Sequence, residues 1–127
     1  MNTPVAPSAV APPAASYSHA VLSVSPARLL YTSGVVPTAP DGTVPDDLAA
    51  QAAVVWANIA AILDEAGMTV RDVVSVTTYV VRGNDLATVM AARDAAMAGH
   101  RPASTLVVVP ALARPAWRME VAVVAAQ

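Results

Sequence analysis

Residues 70–81, which read VRDVVSVTTYVV, are the segment from which the architecture of this chain can be worked out. The stretch is β-branched almost throughout, and its richness in valine and threonine favours a strand over a helix. We therefore predict that it forms the central strand of a sheet. The segments on either side of it determine what packs against that sheet.

The residues before this strand have the pattern of one amphipathic helix. Asp46 or Asp47 supplies the N-cap, and Gly67 supplies the left-handed residue at which the helix ends. Between them, apolar side chains recur every three or four residues, at Leu48, Ala52, Val55, Ile59, Ile62 and Leu63. A helix of about five turns is expected.

A second helix and four further strands complete the predicted order. The helix covers residues 85–98, with Asn84 as its N-cap and Gly99 as its stop. The β-rich segments are residues 18–24, 28–36, 104–109 and 117–125, and the first two are expected to pair with each other as antiparallel strands. The order β-β-α-β-α-β-β places two helices on one face of a mixed sheet. The other face then needs cover from a partner subunit.

The composition restricts how the chain is organised. Its 127 residues fit one domain, which we predict over residues 17–127. Residues 1–16 are rich in alanine and proline, and a flexible arm is expected there. Apolar residues make up 56% of the chain and charged residues 13%. This apolar surplus predicts a symmetric homo-oligomer with an apolar interface. The net charge of −2 leaves no basic stripe for nucleic acid or an anionic membrane.

Missing residue types exclude several kinds of chemistry. The chain has no cysteine and no lysine, which excludes a thiolate nucleophile, an enzyme Schiff base and lysine-anchored pyridoxal phosphate. His19 and His100 lie far apart in the sequence, so neither a metal site nor a cofactor is expected. The chain start lacks the pattern of a secretory signal, and no apolar run approaches the length of a membrane span. A soluble, cytoplasmic protein is expected.

Seven short motifs follow one another along residues 17–127. They are Tyr17 in Y-S-x-A-V, Ser33 and Gly34 in Y-T-S-G-x-x-P, Gln51 in A-A-Q, Ala66-Gly67, D-V-V-x-V-T-x-Y-V in the central strand, Arg101-Pro102-Ala103, and Met119-Glu120-Val121. In these motifs and their spacing the chain resembles the reactive-intermediate deaminase (RidA/YjgF) family. The resemblance implies a homotrimer of chorismate-mutase-like α+β subunits. It also implies small-molecule clefts between neighbouring subunits, which hydrolyse imines and enamines such as 2-aminoacrylate.

One position departs from the pattern of that family. The deaminases carry an arginine after Pro-Ala, which pairs with the substrate carboxylate, whereas Ser104 follows Pro102-Ala103 in this chain. A hydroxyl supplies one neutral hydrogen bond where a guanidinium supplies two charge-assisted ones. The substitution argues against the standard hydrolysis of 2-iminoacids. Arg101 and Arg118 are the candidates for a replacement cation.

Glu120 is the main candidate for a catalytic group. It is the only acid after Asp94, and it lies in an otherwise apolar strand. It therefore either forms a salt bridge across the sheet or serves as the acid-base group of a reaction. Tyr17, with its phenolic donor, is the second catalytic candidate, against the alternative of a core tyrosine. The predicted substrate-binding residues are Ser33, Gly34, Ser104, Thr105, Arg101 and Arg118, of which Arg118 is expected to share a strand face with Glu120.

The predicted function is hydrolysis of an imine or enamine by water that Glu120 activates. Two alternatives stay open. One is a pathway-specific catalyst of a cyclisation or condensation, and the other is a trimer that binds a ligand without turnover. The ribonuclease activity described for some members of the family is not expected, because the chain has no lysine and an acidic balance.

Overall fold

Two helices and a four-stranded sheet form the body of the molecule. The computed structural model describes all residues, 1–127. The helices are α1 (Leu48–Glu65) and α2 (Leu86–Met97), and the strands are β1 (Asn2–Val5), β2 (Ala20–Ser23), β3 (Leu29–Tyr31), β4 (Val73–Val81), β5 (Ala103–Val109) and β6 (Met119–Ala126). From residue 17 onward the order is the predicted β-β-α-β-α-β-β, which confirms the α+β fold class.

The larger sheet is mixed, and β4 lies inside it. The strand order is β3-β6-β4-β5. Strand β4 pairs in parallel with β5 and antiparallel with β6, while β3 pairs antiparallel with β6. The parallel pair needs a crossover, which α2 provides. The predicted central strand is therefore confirmed, and β3 and β5 form the two edges. On the β5 edge, Val107 and Val108 are exposed.

Both helices pack on one face of this sheet, as predicted. Strands β4 and β6 alternate between buried and partly exposed residues, because successive side chains of a strand point to opposite faces. The buried set includes Val76, Val80, Met119, Val121 and Val123, and these residues form one core cluster with both helices. The opposite face, which we call the open face, carries Ser75, Thr77, Tyr79, Glu120, Ala122 and Val124, all of them partly exposed.

Helix α1 supplies most of the helical part of the core. Its residues Ala52, Val55 and Ile59 have no exposed surface. The helix is long and apolar enough, by length and composition alone, to cross a membrane. Its burial against the sheet is instead that of a core helix, which is apolar because it is enclosed by protein.

The ends of the helices follow local capping chemistry. The Asp47 carboxylate accepts a hydrogen bond from the backbone N–H of Ala50 at 3.0 Å, so Asp47 and not Asp46 is the N-cap of α1. Gly67 adopts a positive φ of 67°, which confirms it as the left-handed stop.

Two predicted boundaries are wrong by a few residues. The N-cap of α2 is Asp85, whereas the side chain of Asn84 donates to the carbonyl oxygen of Val81 at 2.8 Å. The central strand begins at Val73 instead of residue 70, because residues 70–72 form a single 3₁₀ turn closed by a capping box between Thr69 and Asp72.

The start of the chain differs from the prediction of a flexible arm. Residues Asn2–Val5 form a strand that pairs antiparallel with Ala20–Ser23. The side chain of Asn2 also donates to the carbonyl oxygen of Ala126 at 2.8 Å. Pro4 is compatible with this pairing because β1 is an edge strand. Residues 6–16 contain no helix or strand, and the start of the domain at residue 17 stays a prediction.

The predicted pairing of the first two β-rich segments is wrong as well. Strand β2 pairs with β1 in a separate two-stranded sheet, and β3 pairs with β6. Strand β3 is only three residues long. Its pairing with β6 continues to the chain end, because the backbones of Arg28 and Gln127 bond to each other in both directions at 3.0 Å.

Candidate functional site

Glu120 and Gly34 are in direct contact on the open face. An antiparallel bridge between Val35 and Val121, with N···O distances of 2.7 and 3.0 Å, brings the two residues side by side. A Cβ atom added to Gly34 would lie 2.7 Å from Cδ of Glu120, and closer still to Oε2. The Glu120 carboxylate therefore occupies the space that any other residue at position 34 would need.

Tyr79 is the nearest neighbour of Glu120 across the sheet. The two residues are directly opposite each other in the β4–β6 register, and Val107 is opposite Tyr79 on β5. Side chains at such positions are in contact range. Sequence reasoning did not propose Tyr79 as a site residue. A signal for it was present in the alternation of side chains along β4, which assigns Tyr79 to the face opposite the helices. Glu120, on β6, lies on the same face.

The carboxylate of Glu120 has no partner within the chain. The only ion pair in the structure joins Arg93 and Asp94, and no hydrogen bond involves the Glu120 side chain. The salt bridge considered for Glu120 is therefore not formed within one subunit. Arg118, proposed as its partner, is exposed and lies just before β6. Its side chain forms no hydrogen bond, while its backbone N–H donates to Oε1 of Gln51 and its carbonyl oxygen accepts from the N–H of Val81, both at 2.9 Å.

A cleft of about 440 Å³ opens next to Gly34. Its polar lining includes Asn58, whose amide donates to the carbonyl oxygens of Val36 at 3.3 Å and Thr38 at 3.0 Å. These bonds hold the chain after Gly34 against α1, so the cleft wall is tied to the core helix.

Ser33 precedes Gly34 and is exposed, with no hydrogen bond from its hydroxyl within the chain. Its hydroxyl is therefore free to bind a ligand, at the position that precedes Gly34 in the chain. We call Ser33, Gly34 and Glu120, with the facing Tyr79, the acid group.

A second set of predicted residues gathers at the start of β5. Ser18 forms a parallel bridge with Ala103, donates its backbone N–H to the carbonyl oxygen of Pro102 at 3.0 Å, and donates its hydroxyl to the carbonyl oxygen of Arg101. The chain next to Ser18 is thereby added to the edge of β5. Tyr17 and Arg101 consequently line the same cleft, which has a volume of about 480 Å³.

This second cleft is basic. Arg71, Arg101, His19 and His100 line it together with Tyr17. Neither arginine forms an ion pair. The Nε2 atoms of His19 and His100 bond to the carbonyl oxygens of Ala11 and Val73, so each Nε2 carries a proton, because a carbonyl only accepts. We call these five of its eleven lining residues the tyrosine group.

Tyr17 itself is not a core tyrosine. It is partly exposed, its ring meets the ring of His19 edge-on with the centroids 6.0 Å apart, and its hydroxyl accepts from the backbone N–H of Ala14 at 3.4 Å. The phenol is thus accessible from the cleft.

Ser104 and Thr105 point to opposite faces of the sheet. The hydroxyl of Ser104 faces α2, where it accepts a hydrogen bond from Nη1 of Arg93 at 2.9 Å. Thr105 is exposed and lies opposite Thr77 on the open face. In the sequence, Arg93 is recognisable only as one residue of the helical repeat. Its contact with Ser104 is a feature that sequence reasoning missed.

The acid group and the tyrosine group are separated within one chain. The tyrosine group lies at the level of Ala103, while Glu120 lies at the level of Val107 and two strands away. Four residues along a strand and two strand spacings separate Glu120 from Ala103 by about 16 Å, and the chain at Ser18 lies one strand spacing further away. One subunit therefore does not bring all of the predicted site residues together. No group of three or more histidine, aspartate or glutamate side chains is arranged to hold a metal ion.

Comparisons with known proteins agree with this architecture. The sequence pattern of the family described as Endoribonuclease L-PSP matches residues 8–127. The 2-iminobutanoate/2-iminopropanoate deaminase of Escherichia coli K12 is 41% identical over 81 residues, which are 63% of this chain and 63% of that enzyme. The matched part is thus less than two thirds of that enzyme's length.

Solved structures extend the similarity to almost the whole chain. YyfB of Yersinia pestis, from the conserved Rid protein family, superposes with a TM-score of 0.89 at 32% identity and covers 99% of this chain and 98% of its own. TdcF of Escherichia coli with bound serine has a TM-score of 0.73 at 27% identity and covers 96% and 93%. The chain belongs to the Endoribonuclease L-PSP family, which is the reactive-intermediate deaminase (RidA/YjgF) family that its motifs resemble.

Proposed function

We propose that the protein is a deaminase-type hydrolase that converts a small imine or enamine to a carbonyl compound and ammonia. The observation that supports this proposal most is the Glu120 carboxylate, which is held against Gly34 on the open face without a hydrogen bond or ion pair. A carboxylate placed in an apolar strand and left unpaired is available for proton transfer.

Glu120 is the group that moves protons in this reaction. Water adds to the carbon of a protonated C=N bond, and its proton passes to Glu120, giving a carbinolamine. The same proton then goes from Glu120 to the nitrogen. The C–N bond breaks while the hydroxyl proton of the carbinolamine passes to the Glu120 carboxylate, so that ammonia leaves as the carbonyl forms. An enamine enters this sequence after a proton is added at its β-carbon. Proton transfer by a positioned group contributes a factor of about 10² to 10⁴ in rate.

The complete site in this proposal lies between subunits of a homotrimer. The acid group of one subunit faces the tyrosine group of its neighbour, which removes the separation of about 16 Å that a single chain imposes. The open face supports such an assembly because it carries Ala122 and Val124 without cover, beside Tyr31 at 70% exposure. Apolar surface of this kind is expected to be buried against another chain.

The relatives support a small substrate related to an amino acid. One relative is an iminobutanoate and iminopropanoate deaminase, and TdcF holds serine in its crystal structure. The clefts of about 440 and 480 Å³ have more than enough room for a ligand of this size, and within one chain Glu120 lines neither of them. The proposal further holds that the protein is cytoplasmic and that the reaction needs neither a cofactor nor a metal.

The test generates iminoacids in solution with an amino-acid oxidase and measures the rate of ammonia release. Although Ser104 replaces the arginine of the deaminase pattern, the parent protein is expected to accelerate this release, because Glu120 is present to transfer the proton. Glu120→Gln is expected to lose about 100-fold or more of the acceleration. Asp46→Asn is the matched control, because Asp46 is exposed and caps no helix. It is expected to retain full activity.

Other results separate the alternatives. An active Glu120→Gln variant would overturn the assigned role of Glu120. An inert parent that still binds pyruvate would favour the trimer that binds a ligand without turnover. An inert parent without that binding would favour a pathway-specific catalyst with a different substrate.

A further inference from the structure

Tyr79 lies directly opposite Glu120 on the open face, and its hydroxyl forms no hydrogen bond within the chain. The two residues are paired in the β4–β6 register, and Tyr79 is partly exposed. The Cβ atoms of residues paired in this way are about 4.5–5.5 Å apart. An accessible phenol without a partner thus stands beside the carboxylate to which the proposed function assigns proton transfer.

The Glu120 carboxylate leans away from this phenol. Strand β4 pairs with one edge of β6, and the Val35–Val121 bridge lies on the other edge. Because the carboxylate lies against Gly34, next to that bridge, it is turned toward the edge that is remote from β4. The carboxylate and the phenol therefore do not bond to each other. A small ligand that lies over β6 can meet the carboxylate on one side and the phenol on the other.

No other group on this part of the open face competes with Tyr79 as a proton donor. The remaining open-face side chains of β4 and β6 are alcohols or hydrocarbons: Ser75, Thr77, Ala122 and Val124. An alcohol is a far weaker acid than a phenol. On the β5 side, Tyr79 is opposite Val107, which has no polar group. Tyr79 and Glu120 are thus the two groups of this surface that are suited to exchange protons.

The hydrolysis of an enamine contains one proton transfer for which Glu120 is not the donor. The β-carbon of the enamine must gain a proton before water adds. Glu120 accepts the proton of that water in the following step, so it enters the sequence as a carboxylate, and an ionised carboxylate only accepts. The phenol of Tyr79 has an O–H to donate.

We propose that Tyr79 is a catalytic residue that protonates the β-carbon of an enamine, so that the site accepts enamines as well as imines. The phenolic O–H bond breaks, the electron pair of the C=C bond forms the new C–H bond, and the nitrogen lone pair forms the C=N bond. The products are the protonated imine and the Tyr79 phenolate. Hydrolysis leaves Glu120 protonated, and this proton returns to the phenolate. The inference rests on the proposed function, which places the substrate over Glu120.

Two substrates separate this step from hydrolysis. One is 2-aminocrotonate, an enamine that a threonine dehydratase forms from threonine, and its lifetime is followed by its ultraviolet absorbance against the dehydratase alone. The other is iminoglyoxylate, which glycine oxidase forms from glycine. Iminoglyoxylate has no β-carbon and therefore needs no proton there, and its hydrolysis is followed by ammonia release.

The parent protein is expected to shorten the lifetime of the enamine. Tyr79→Phe is expected to lose about 100-fold of this acceleration and to slow iminoglyoxylate hydrolysis by a much smaller factor. Tyr31→Phe makes the same change at a tyrosine that is 70% exposed and lies opposite Val124 instead of Glu120. It is the matched control and is expected to behave like the parent with both substrates. Melting temperatures show that each variant is folded.

The stereochemistry of the new C–H bond gives a readout that a structural role of Tyr79 would not change. The enamine reaction is run in D₂O, the 2-oxobutanoate formed is reduced at once by lactate dehydrogenase, and NMR gives the configuration at the deuterated carbon. A fixed phenol delivers deuterium to one face, whereas free water delivers it to both. Relative to the dehydratase alone, the parent is expected to shift the product toward one configuration, and Tyr79→Phe is expected to remove this shift.

The inference and the proposed function fail in different ways. Equal losses for both substrates in Tyr79→Phe would overturn the inference, and so would an enamine lifetime that the parent leaves unchanged. If such a parent still hydrolysed iminoglyoxylate, the proposed function would stand. Enamine loss that depends on Tyr79, without accelerated ammonia release from iminoglyoxylate, would support the inference and contradict the function.

Discussion

Gly34 and Glu120 share one space: the carboxylate of Glu120 lies where a side chain at position 34 would begin. The two residues are far apart in the sequence, and the bridge between Val35 and Val121 joins them. Catalysis assigned to Glu120 therefore depends on a residue that has no side chain.

Gly34→Ala is expected to abolish most iminoacid hydrolysis while changing the melting temperature little. The added methyl group displaces the carboxylate, and the flexible end of a glutamate moves at small cost because Gly34 does not have a positive φ. Ammonia release and thermal unfolding are measured on the same samples. The variant Gly34→Ala/Glu120→Ala should be no less active than Glu120→Ala alone. An active Gly34→Ala variant would contradict the assigned position of the carboxylate.

Ile59→Ala is expected to destabilise the fold by about 2–5 kcal/mol, since it leaves a cavity in the core. Ile59 has no exposed surface, whereas Ile62, on the same helix, is 37% exposed. Ile62→Ala is therefore the matched control, and it should lower the free energy of unfolding clearly less. Urea unfolding measures both variants. If both variants lost the same free energy of unfolding, α1 would not bury the helix face that contains Ile59.

Asn2→Ala tests whether the start of the chain belongs to the folded unit. The Asn2 side chain donates to the carbonyl oxygen of Ala126 at 2.8 Å and accepts from the Ser23 hydroxyl at 2.6 Å. Loss of these bonds is expected to cost about 1–3 kcal/mol and to raise the hydrogen exchange of the β2 amides. Thr3→Ala, at an exposed position of the same strand, is the control. Unchanged exchange in Asn2→Ala would restore the prediction of a flexible arm.

Thr43→Val is expected to raise the pKa of Asp41. The side-chain and backbone hydrogen bonds from Thr43 hold the pKa of this carboxyl below its ordinary value of 3.8. Because the pKa of Asp41 is lower in the folded state than in the unfolded state, its ionised carboxylate stabilises the fold at a pH above the unfolded-state pKa. This stabilisation is lost as the pH falls through the folded-state pKa. The titration of Asp41 followed by NMR measures the shift. A pKa that does not move would show that the backbone bond alone is responsible.

The helices and the order of the elements were predictable because they follow from local patterns. The apolar repeat from Leu48 to Leu63 favours a helix, and the β-branched run at residues 70–81 favours a strand. The start of α2 was predictable to within a residue. The error arose there because two residues able to cap a helix, Asn84 and Asp85, are adjacent.

The partners of strands and side chains were less predictable, because they depend on distant residues. Pro4 and its neighbours have the composition of a linker, and only their pairing with Ala20–Ser23 makes them a strand. The contact between Arg93 and Ser104 joins a helix to a strand eleven residues later. The helical repeat of α2 puts Arg93 on the same stripe as Val89 and Met97, but no local pattern indicated that Ser104 is its partner.

The exposed edge of β5 has a consequence for handling the protein. Ser18 pairs only with the first residue of this strand, and beyond it Val107 and Val108 are exposed on an edge that no other strand of the chain covers. Such an edge is a template for strand pairing with other chains. When the subunits of the proposed homotrimer are separated by heat or dilution, the expected product is a β-rich aggregate that grows from β5 instead of a soluble monomer.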